Sequence, residues 1–366
     1  MLNNIKTLNL RLSGFKTIAL LLIALNVISL ACIYSSLHQG GVFVGSDTLL
    51  RQMIWIALSW LCLLLFSFIN YRVYYNLSYI IYSFNILLLL GVSLFGKTVM
   101  GAQRWISIFG FTFQPSELSK IAIIIILAKF FSSKKESGFI KDFLLPLGLV
   151  GLNALIIFTQ PDLGTALVLI FLFVSIGLFS KVNKFYFIGF VILGIVLTPF
   201  ALGALKDYQR QRLTVFINPD VDPLGAGYTI IQSKIAIGSG QVLGKGFLAG
   251  TQNQFNFLPE RHTDFIFTIL TEEWGFLGAI FLLMLYWLIL MKIIQKIGDS
   301  SDDFVYFFTL GISVLFFFHI FINIGMTLGI LPVVGLPLIF LSYGGTNMLI
   351  NYILLGIFLN ICRNNH

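Results

Sequence analysis

Charge is what this sequence has least of. Asp, Glu, Lys and Arg together make only 10% of its 366 residues, against about a quarter in a water-soluble domain. A chain so poor in charge cannot coat a soluble surface. Cysteine is scarce too: Cys32, Cys62 and Cys362 are odd in number. Two sit inside apolar stretches and the third at the end of the last one, so neither a disulfide framework nor a metal cluster is implied. Long polar stretches are also few, because apolar blocks of about 17 or more residues recur from Thr17 to the C-terminus and leave no room for a sizeable water-facing domain. What is present is 58% apolar and 15% aromatic side chains at a mean hydropathy of +0.94. That composition predicts one all-α polytopic membrane domain. The net charge of +8 would suggest nucleic acid in a soluble protein. Here the basic residues fall mainly in short loops between apolar segments, which is a topology signal and implies no nucleic acid.

The first apolar stretch follows Lys6, Arg11 and Lys16 as a signal peptide would. It runs about 20 residues without a convincing small-residue cleavage site and is expected to be an uncleaved span. Hydropathy predicts ten transmembrane helices near 17–36, 53–69, 77–95, 117–132, 143–159, 163–180, 185–205, 264–293, 304–328 and 338–361. With the N-terminus inside, the cytoplasmic segments hold Lys6, Arg11, Lys16, Arg72, Lys129, Lys134, Lys135, Lys141, Lys181, Lys184, Lys292, Lys296 and Arg363, while the short outer loops hold Arg51, Lys97 and Arg104. Both termini are therefore expected in the cytoplasm. The organisation expected is a cytoplasmic tail at 1–16, a single membrane domain at 17–362 and a cytoplasmic tail at 363–366. Residues 206–263 form a large extracytoplasmic loop between helices 7 and 8.

A charge inside hydrocarbon costs at least about 2.5–3.5 kcal/mol, so intramembrane ionisable residues are functional candidates. Glu117 and Lys120 open the fourth span at a spacing of three, which puts them on one helix face. They can line a cavity, or form a structural ion pair that neutralises itself. Asp162 follows a proline at a membrane surface, where capping a helix is the favoured role. His319 stands alone in an aromatic run and reads as a satisfied core histidine. The eighth span, 264–293, is longer than the hydrocarbon core requires, so its outer end must project or line a cavity. That end crowds Glu260, Arg261, His262 and Asp264 beside an apolar helix. Asp264 can cap the helix. It can also serve as a general base, since desolvation raises a carboxylate's pKa while nearby cations keep it ionised. Glu272 and Glu273 lie about two turns deeper, where one can face the cavity and the other a polar neighbour.

The outer segment runs through Asp207–Arg212, Asn218–Pro223 and Gly225–Gly240, too patterned for a disordered loop. Tyr228–Ile237 is expected to form an amphipathic helix on the membrane. Arg210, Arg212 and Lys234 would then sit at headgroup level, where phosphates lie; the alternative is a basic loop facing anionic lipid. Two other motifs fail. Ser239–Gly246 lacks the first Gly and the final Ser or Thr of a phosphate loop. Asp220-Val-Asp222 has a metal-binding spacing but is bracketed by Pro219 and Pro223, and reads as a turn.

The sequence resembles the SEDS family (shape, elongation, division and sporulation) over nearly its whole length. The carriers are Gly101-Ala-Gln-Arg-Trp105, Gln114-Pro-Ser-Glu-Leu-Ser-Lys120, Gln160-Pro-Asp-Leu-Gly-Thr165, Asp207–Arg212, Asp222–Tyr228, Gln232–Gly238, Leu258–Phe267, Leu331–Pro337 and Ser342-Tyr-Gly-Gly345. Asp207–Arg212 and Glu260-Arg-His262 look closer to the rod-shape branch than to the division paralogue, where a small residue usually stands at the position of Arg261. The resemblance implies ten helices, cytoplasmic termini and a large outer loop between the seventh and eighth. It also implies a peptidoglycan glycosyltransferase in the bacterial cytoplasmic membrane, polymerising lipid II, an undecaprenyl-diphosphate-linked disaccharide peptide, during elongation. By the resemblance Asp264 matches an essential aspartate, and Glu117 and Lys120 a functional charged pair.

The site expected on both grounds has Asp264 as catalytic base and Glu117, Lys120, Arg104, Asp162, Arg210, Arg212 and Lys234 as substrate-binding residues. No metal ligand is assigned, and a divalent cation stays open. The partners implied are a class B penicillin-binding protein transpeptidase and other membrane proteins of the elongation complex. The competing readings are a lipid II flippase, for which the intramembrane charges would also suit a polar path, and a scaffold for wall-synthesis partners.

Overall fold

The computed structural model describes the backbone of residues 2–39, 42–43, 45–99, 102–108, 111–133, 138–204, 207–225, 227–298 and 300–364. Lys134, Lys135 and Lys206 of the charge pattern, Gly101 and Ala226 of the motifs, and the tail residues 1, 365 and 366 lie outside it. The chain begins with α1 (Leu2–Ser36), so helix extends back through the stretch expected to be a separate tail. A two-stranded hairpin, β1 (His38–Gln39) and β2 (Val42–Phe43), leads to α2 (Ser46–Phe68) and α3 (Tyr71–Phe95). An antiparallel sheet follows in the order β3 (Lys97–Val99), β4 (Ala102–Ile108), β5 (Phe111–Phe113). Hydropathy did not reveal these strands. Then come α4 (Pro115–Ser132), a π turn at Ile140–Leu144 running into α5 (Leu145–Thr159), α6 (Leu163–Leu178) and α7 (Lys184–Ala204).

The outer segment contains α8 (Asp207–Ile217), a 3-10 turn at Pro219–Val221, α9 (Tyr228–Gly240) and α10 (Thr251–Gln254). It is followed by α11 (Ile266–Gly298), α12 (Asp303–Thr327) and α13 (Gly345–Asn364). Seven helices among the described residues are long and apolar enough to cross a membrane: α1 over Phe15–Ser36, α2, α3, the π turn with α5, α11, α12, and α13 over Gly345–Arg363. The apolar parts of α6 and α7 are shorter, and α4 carries Glu117, Lys120 and Lys129 within its 18 residues.

The core is built around α4, where every residue from Ile121 to Ala128 is buried. A helix apolar all round belongs inside a bundle rather than at its surface. It packs on α3, α6 and α12, while α13 lies along α2, and α11 against α1, α9 and α12. Leu61, Phe68, Leu87, Leu94, Ile192 and Ile195 point outward, as lipid-facing side chains do. One end of the bundle is tied by polar contacts: Tyr71 donates through its hydroxyl to Asp302 (3.0 Å), Asn360 donates to the Ser67 carbonyl (2.8 Å), and Lys181 pairs with Asp303 (3.6 Å).

One expectation needs correction. The eighth apolar segment is not one straight helix from Asp264; α11 starts at Ile266 and breaks at Gly275, whose φ of 65° and ψ of −163° are not helical. The break leaves helical N–H and C=O groups without partners, and the glycine-rich stretch Gln241–Gly246 supplies them. Phe276 and Leu277 donate to the carbonyls of Gln241 and Val242, and Lys245 and Gly246 donate to those of Glu272 and Glu273. The helix expected over Tyr228–Ile237 is present as α9; it packs on α11 and α12, where Ser233 Oγ sits 2.8 Å from Thr268 Oγ1 and donates to the Thr327 carbonyl (2.7 Å).

Candidate functional site

The turn before α11 is set by Glu260, a non-glycine residue in the left-handed region at φ 48°. Its carbonyl accepts from the N–H groups of Thr263, Asp264 and Phe265. This coil delivers the Asp264 carboxylate to a cavity of about 310 Å³ whose other walls include Gln211 and Arg212 of α8, Thr229 and Ile230 of α9, and Val333. Among the described residues no group hydrogen-bonds that carboxylate, so its oxygens are not used as a helix cap. Burial, with Glu260 beside it, pushes the Asp264 pKa up to about 6, while the positive charges of Arg212 and Arg104 pull the other way.

The loop between α12 and α13 closes over this turn. Asn323 Nδ2 donates to the carbonyls of both Asp264 (2.9 Å) and Leu336 (2.8 Å), and Arg212 Nη1 donates to that of Val333 (3.2 Å). Gly335, at a positive φ of 73°, lies beside the carboxylate: a Cβ there would be in ordinary contact with Asp264 Oδ2, at 3.5 Å. One turn before Asn323, His319 Nδ1 lies 3.3 Å from the Pro337 carbonyl oxygen. Asn323 was passed over in the sequence, although an amide alone in an apolar span is itself a signal.

The other expected site residues fall into three groups. Arg104, on β4, donates through Nε to the Gln160 carbonyl (2.9 Å) and through Nη2 to that of Pro161. Its Nη1 stands 4.0 Å from Asp162. Asp162 caps α6, accepting from the N–H (3.2 Å) and hydroxyl (2.9 Å) of Thr165, and it bridges to Gln114 (3.1 Å) and Ser116 (3.3 Å) on the α4 side. The capping role is thus present, and Asp162 and Arg104 both lie close enough to act on the charge of Asp264.

Glu117 and Lys120 form the second group. They pair at 2.8 Å deep in the core, with Asn347 of α13 donating to the second Glu117 oxygen (2.8 Å). They do not line the Asp264 cavity. Lys120 lies close enough for its charge to act on His319, on the helix that holds the Pro337 end of the loop. Arg210 and Lys234 make the third group. Arg210 borders a second cavity of about 390 Å³ with Asp222, which shares Gln211 and Val215 with the first. Lys234 is exposed on α9 beside Gly329.

Glu272 and Glu273 do not face the cavity. Glu272 accepts from Lys245 (2.7 Å), Thr251 (3.1 Å) and the Gln252 N–H (3.0 Å), and Glu273 accepts from Ser35. Glu272 holds Lys245 and the start of α10 onto broken α11, and Glu273 ties α11 to Ser35 of α1. Arg261 is likewise a tie, donating to the Asn253 carbonyl (2.7 Å). Asp220-Val-Asp222 is a turn, as its prolines predict. Among the described residues no three His, Cys, Asp or Glu side chains gather as a metal would need.

Over residues 13–366 the chain matches the FtsW, RodA and SpoVE family of cell cycle proteins. It is 40% identical over 347 residues to the peptidoglycan glycosyltransferase MrdB of Escherichia coli strain K12, covering 94% of this chain and 92% of that protein. With the peptidoglycan glycosyltransferase RodA of Treponema pallidum it shares 32% identity, over 95% of this chain and 98% of the relative. A chain solved in work on how a peptidoglycan synthase complex coordinates polymerization and crosslinking has the same fold, with a TM-score of 0.79, 27% identity and coverage of 95% and 97%. The crystal structure of the rod shape determining protein RodA of Thermus thermophilus is similar at a TM-score of 0.72 and 25% identity, covering 95% of this chain and 96% of that one.

Proposed function

This chain belongs to the FtsW, RodA and SpoVE family of cell cycle proteins, and from that premise we propose that Asp264 is the base with which it builds glycan strands. The protein is a rod-shape peptidoglycan glycosyltransferase, a multi-pass protein of a bacterial inner membrane. Its substrate is lipid II. Asp264 takes the proton from the GlcNAc 4-hydroxyl of one lipid-linked disaccharide as that oxygen attacks the anomeric carbon of another. The new glycosidic bond forms as the bond from that carbon to the diphosphate oxygen breaks, with inversion. The diphosphate departs with its electron pair, and a cation aimed at it lowers the barrier. Arg212 shares the cavity with Asp264, and Arg210 and Lys234 stand on adjoining helices. Lys120, paired with Glu117 in the core, acts on the site only through its charge on His319, which sits 3.3 Å from the Pro337 carbonyl oxygen. Arg104 and Asp162 fix the sheet and α6 against it.

In this reading all ten long helices, α1 to α7 and α11 to α13, cross the bilayer. Both termini are cytoplasmic, and residues 206–263 are extracytoplasmic. The polar ties among the ends of α2, α3, α6, α12 and α13 support one cytoplasmic face. The partner is a class B penicillin-binding protein that crosslinks the strands, for which the outward apolar side chains of α11 and α12, such as Phe276, Trp287, Phe317 and Phe321, offer a face.

One observation carries the reading: a carboxylate held in a cavity beside cations, with no hydrogen bond among the described residues to occupy it. The test supplies purified protein in detergent with lipid II, with and without its transpeptidase partner, and resolves glycan by gel. Wild type should give ladders and Asp264→Ala should lose about 10² to 10⁴ in rate. Polymer from normally inserted Asp264→Ala at the wild-type rate would remove Asp264 from the chemistry. No polymer from wild type under any condition would move the weight to lipid II translocation, measured in liposomes.

A further inference from the structure

We propose that Asn323 is a positioning residue for glycosyl transfer, its side-chain amide locking the turn that carries Asp264 to the 331–337 loop. The proposal rests on the reading of Asp264 as the base. Asn323 is fully buried in α12, and its Nδ2 uses both hydrogens, one on the Asp264 carbonyl (2.9 Å) and one on the Leu336 carbonyl (2.8 Å). Its Oδ1 is buried without a protein partner among the described residues. Leaving a buried acceptor unmatched is unfavourable, so packing alone would favour an apolar side chain of the same shape at this position. The two N–H donors are what an amide provides here and leucine would not.

The consequence of losing them follows from the geometry. Asp264 precedes the first residue of α11, and the Glu260 carbonyl fixes the start of its turn. Asn323 is the tie from α12 that joins the Asp264 peptide to the loop, and Gly335 of that loop stands against the carboxylate. Arg212 holds the same loop from the far side at Val333. With Asn323 cut, the loop keeps Arg212 on Val333 and His319 on Pro337 and the turn keeps the bond from the Tyr343 N–H to the His262 carbonyl, while the Asp264 peptide itself loses its hydrogen bond to α12. The carboxylate can then drift from the attacking hydroxyl and toward water. A misplacement of about 1 Å can cost on the order of 10²-fold in rate.

The experiment compares Asn323→Leu, which keeps the branched shape and donates nothing, with Asn323→Ala, wild type and Asp264→Asn. Initial rates of lipid II polymerisation are measured across pH on protein that elutes as a single species in detergent. The charged groups acting on Asp264 are Glu260 on its own turn, Arg212 on α8, Arg104 on β4 and Asp162 at the start of α6, and none is altered in the Asn323 variants. The expected result is a fall in kcat of about 10²-fold with KM changed by less than about twofold, and an acid limb that moves to lower pH as Asp264 escapes burial. Wild-type kcat and an unmoved limb in folded Asn323→Leu overturn the proposal. So does activity lost only in proportion to folded protein, or failure of both variants to fold, since either outcome assigns Asn323 to stability. Asp264→Asn separates the two ideas: if it polymerises at the wild-type rate, the base is wrong, whereas an inactive Asp264→Asn beside a normal Asn323→Leu rejects only the positioning role.

Discussion

Asp264 must be ionised to take a proton, and its pKa is pushed up to about 6 by burial first and by Glu260 second. Below that pH the ionised fraction falls about tenfold per unit, so kcat/KM for lipid II should fall on the acid side with a midpoint near 6. The sign of each neighbour's effect can be tested separately. Arg212 lowers the pKa of Asp264, so Arg212→Gln should move the acid limb to higher pH. Glu260 raises it, so Glu260→Gln should move the limb to lower pH. Rates across pH for the two variants should therefore bracket wild type, and limbs that stay together would assign the titration to another group. The candidate base was legible in the sequence because a carboxylate at the rim of an apolar helix has few roles. For Glu272 and Glu273 the sequence allowed one to face the cavity and the other a polar neighbour. Their partners, Lys245, Thr251, Gln252 and Ser35, come from distant parts of the chain, and local spacing carries no trace of them.

The element that most shapes the site is α11, and hydropathy located it without showing its break. Gly275 lies within a long apolar run, where a glycine can simply be a helix residue. Its backbone conformation, φ 65° and ψ −163°, is essentially reserved for glycine, and another residue there costs about 1–3 kcal/mol in strain. A Cβ at Gly275 would also lie 2.3 Å from the Gly244 nitrogen, so the Gln241–Gly246 stretch would have to retreat. Gly275→Ala should therefore lower the melting temperature in detergent and reduce polymerisation together, because the same stretch satisfies the carbonyls of Glu272 and Glu273 about two turns below the site. A variant with wild-type melting and activity would mean that the break is not required. The strands β3 to β5 were hidden for a related reason. Each is at most seven residues long, too short for a long alternation, and β4 packs on α3 and α4 while β5 packs on α13.

For the whole molecule, the position of charge along the sequence and the position of chemistry in the structure make one argument about sidedness. Lys129, Lys141, Lys181, Lys184, Lys292, Lys296 and Arg363 lie in or beside the segments that alternate with the outer loops, and orientation in the membrane follows such a bias. The Asp264 cavity is built from α8, α9 and the turn before α11, on the stretch assigned to the opposite side. In the proposed orientation, lipid-linked sugar reaches that cavity from the leaflet that side faces. Orientation is therefore a condition of the reaction, and it can be measured without assaying catalysis. In a background with Cys32, Cys62 and Cys362 changed to Ser, Leu224→Cys, at an exposed position in the 206–263 segment, should react with a membrane-impermeant maleimide in intact cells. Lys141→Cys, exposed at the start of the α5 segment, should react only after the membrane is opened. The reverse pattern would place Asp264, Arg210, Arg212 and Lys234 in the cytoplasm and remove the proposed outer-face polymerisation, whatever the geometry of the site.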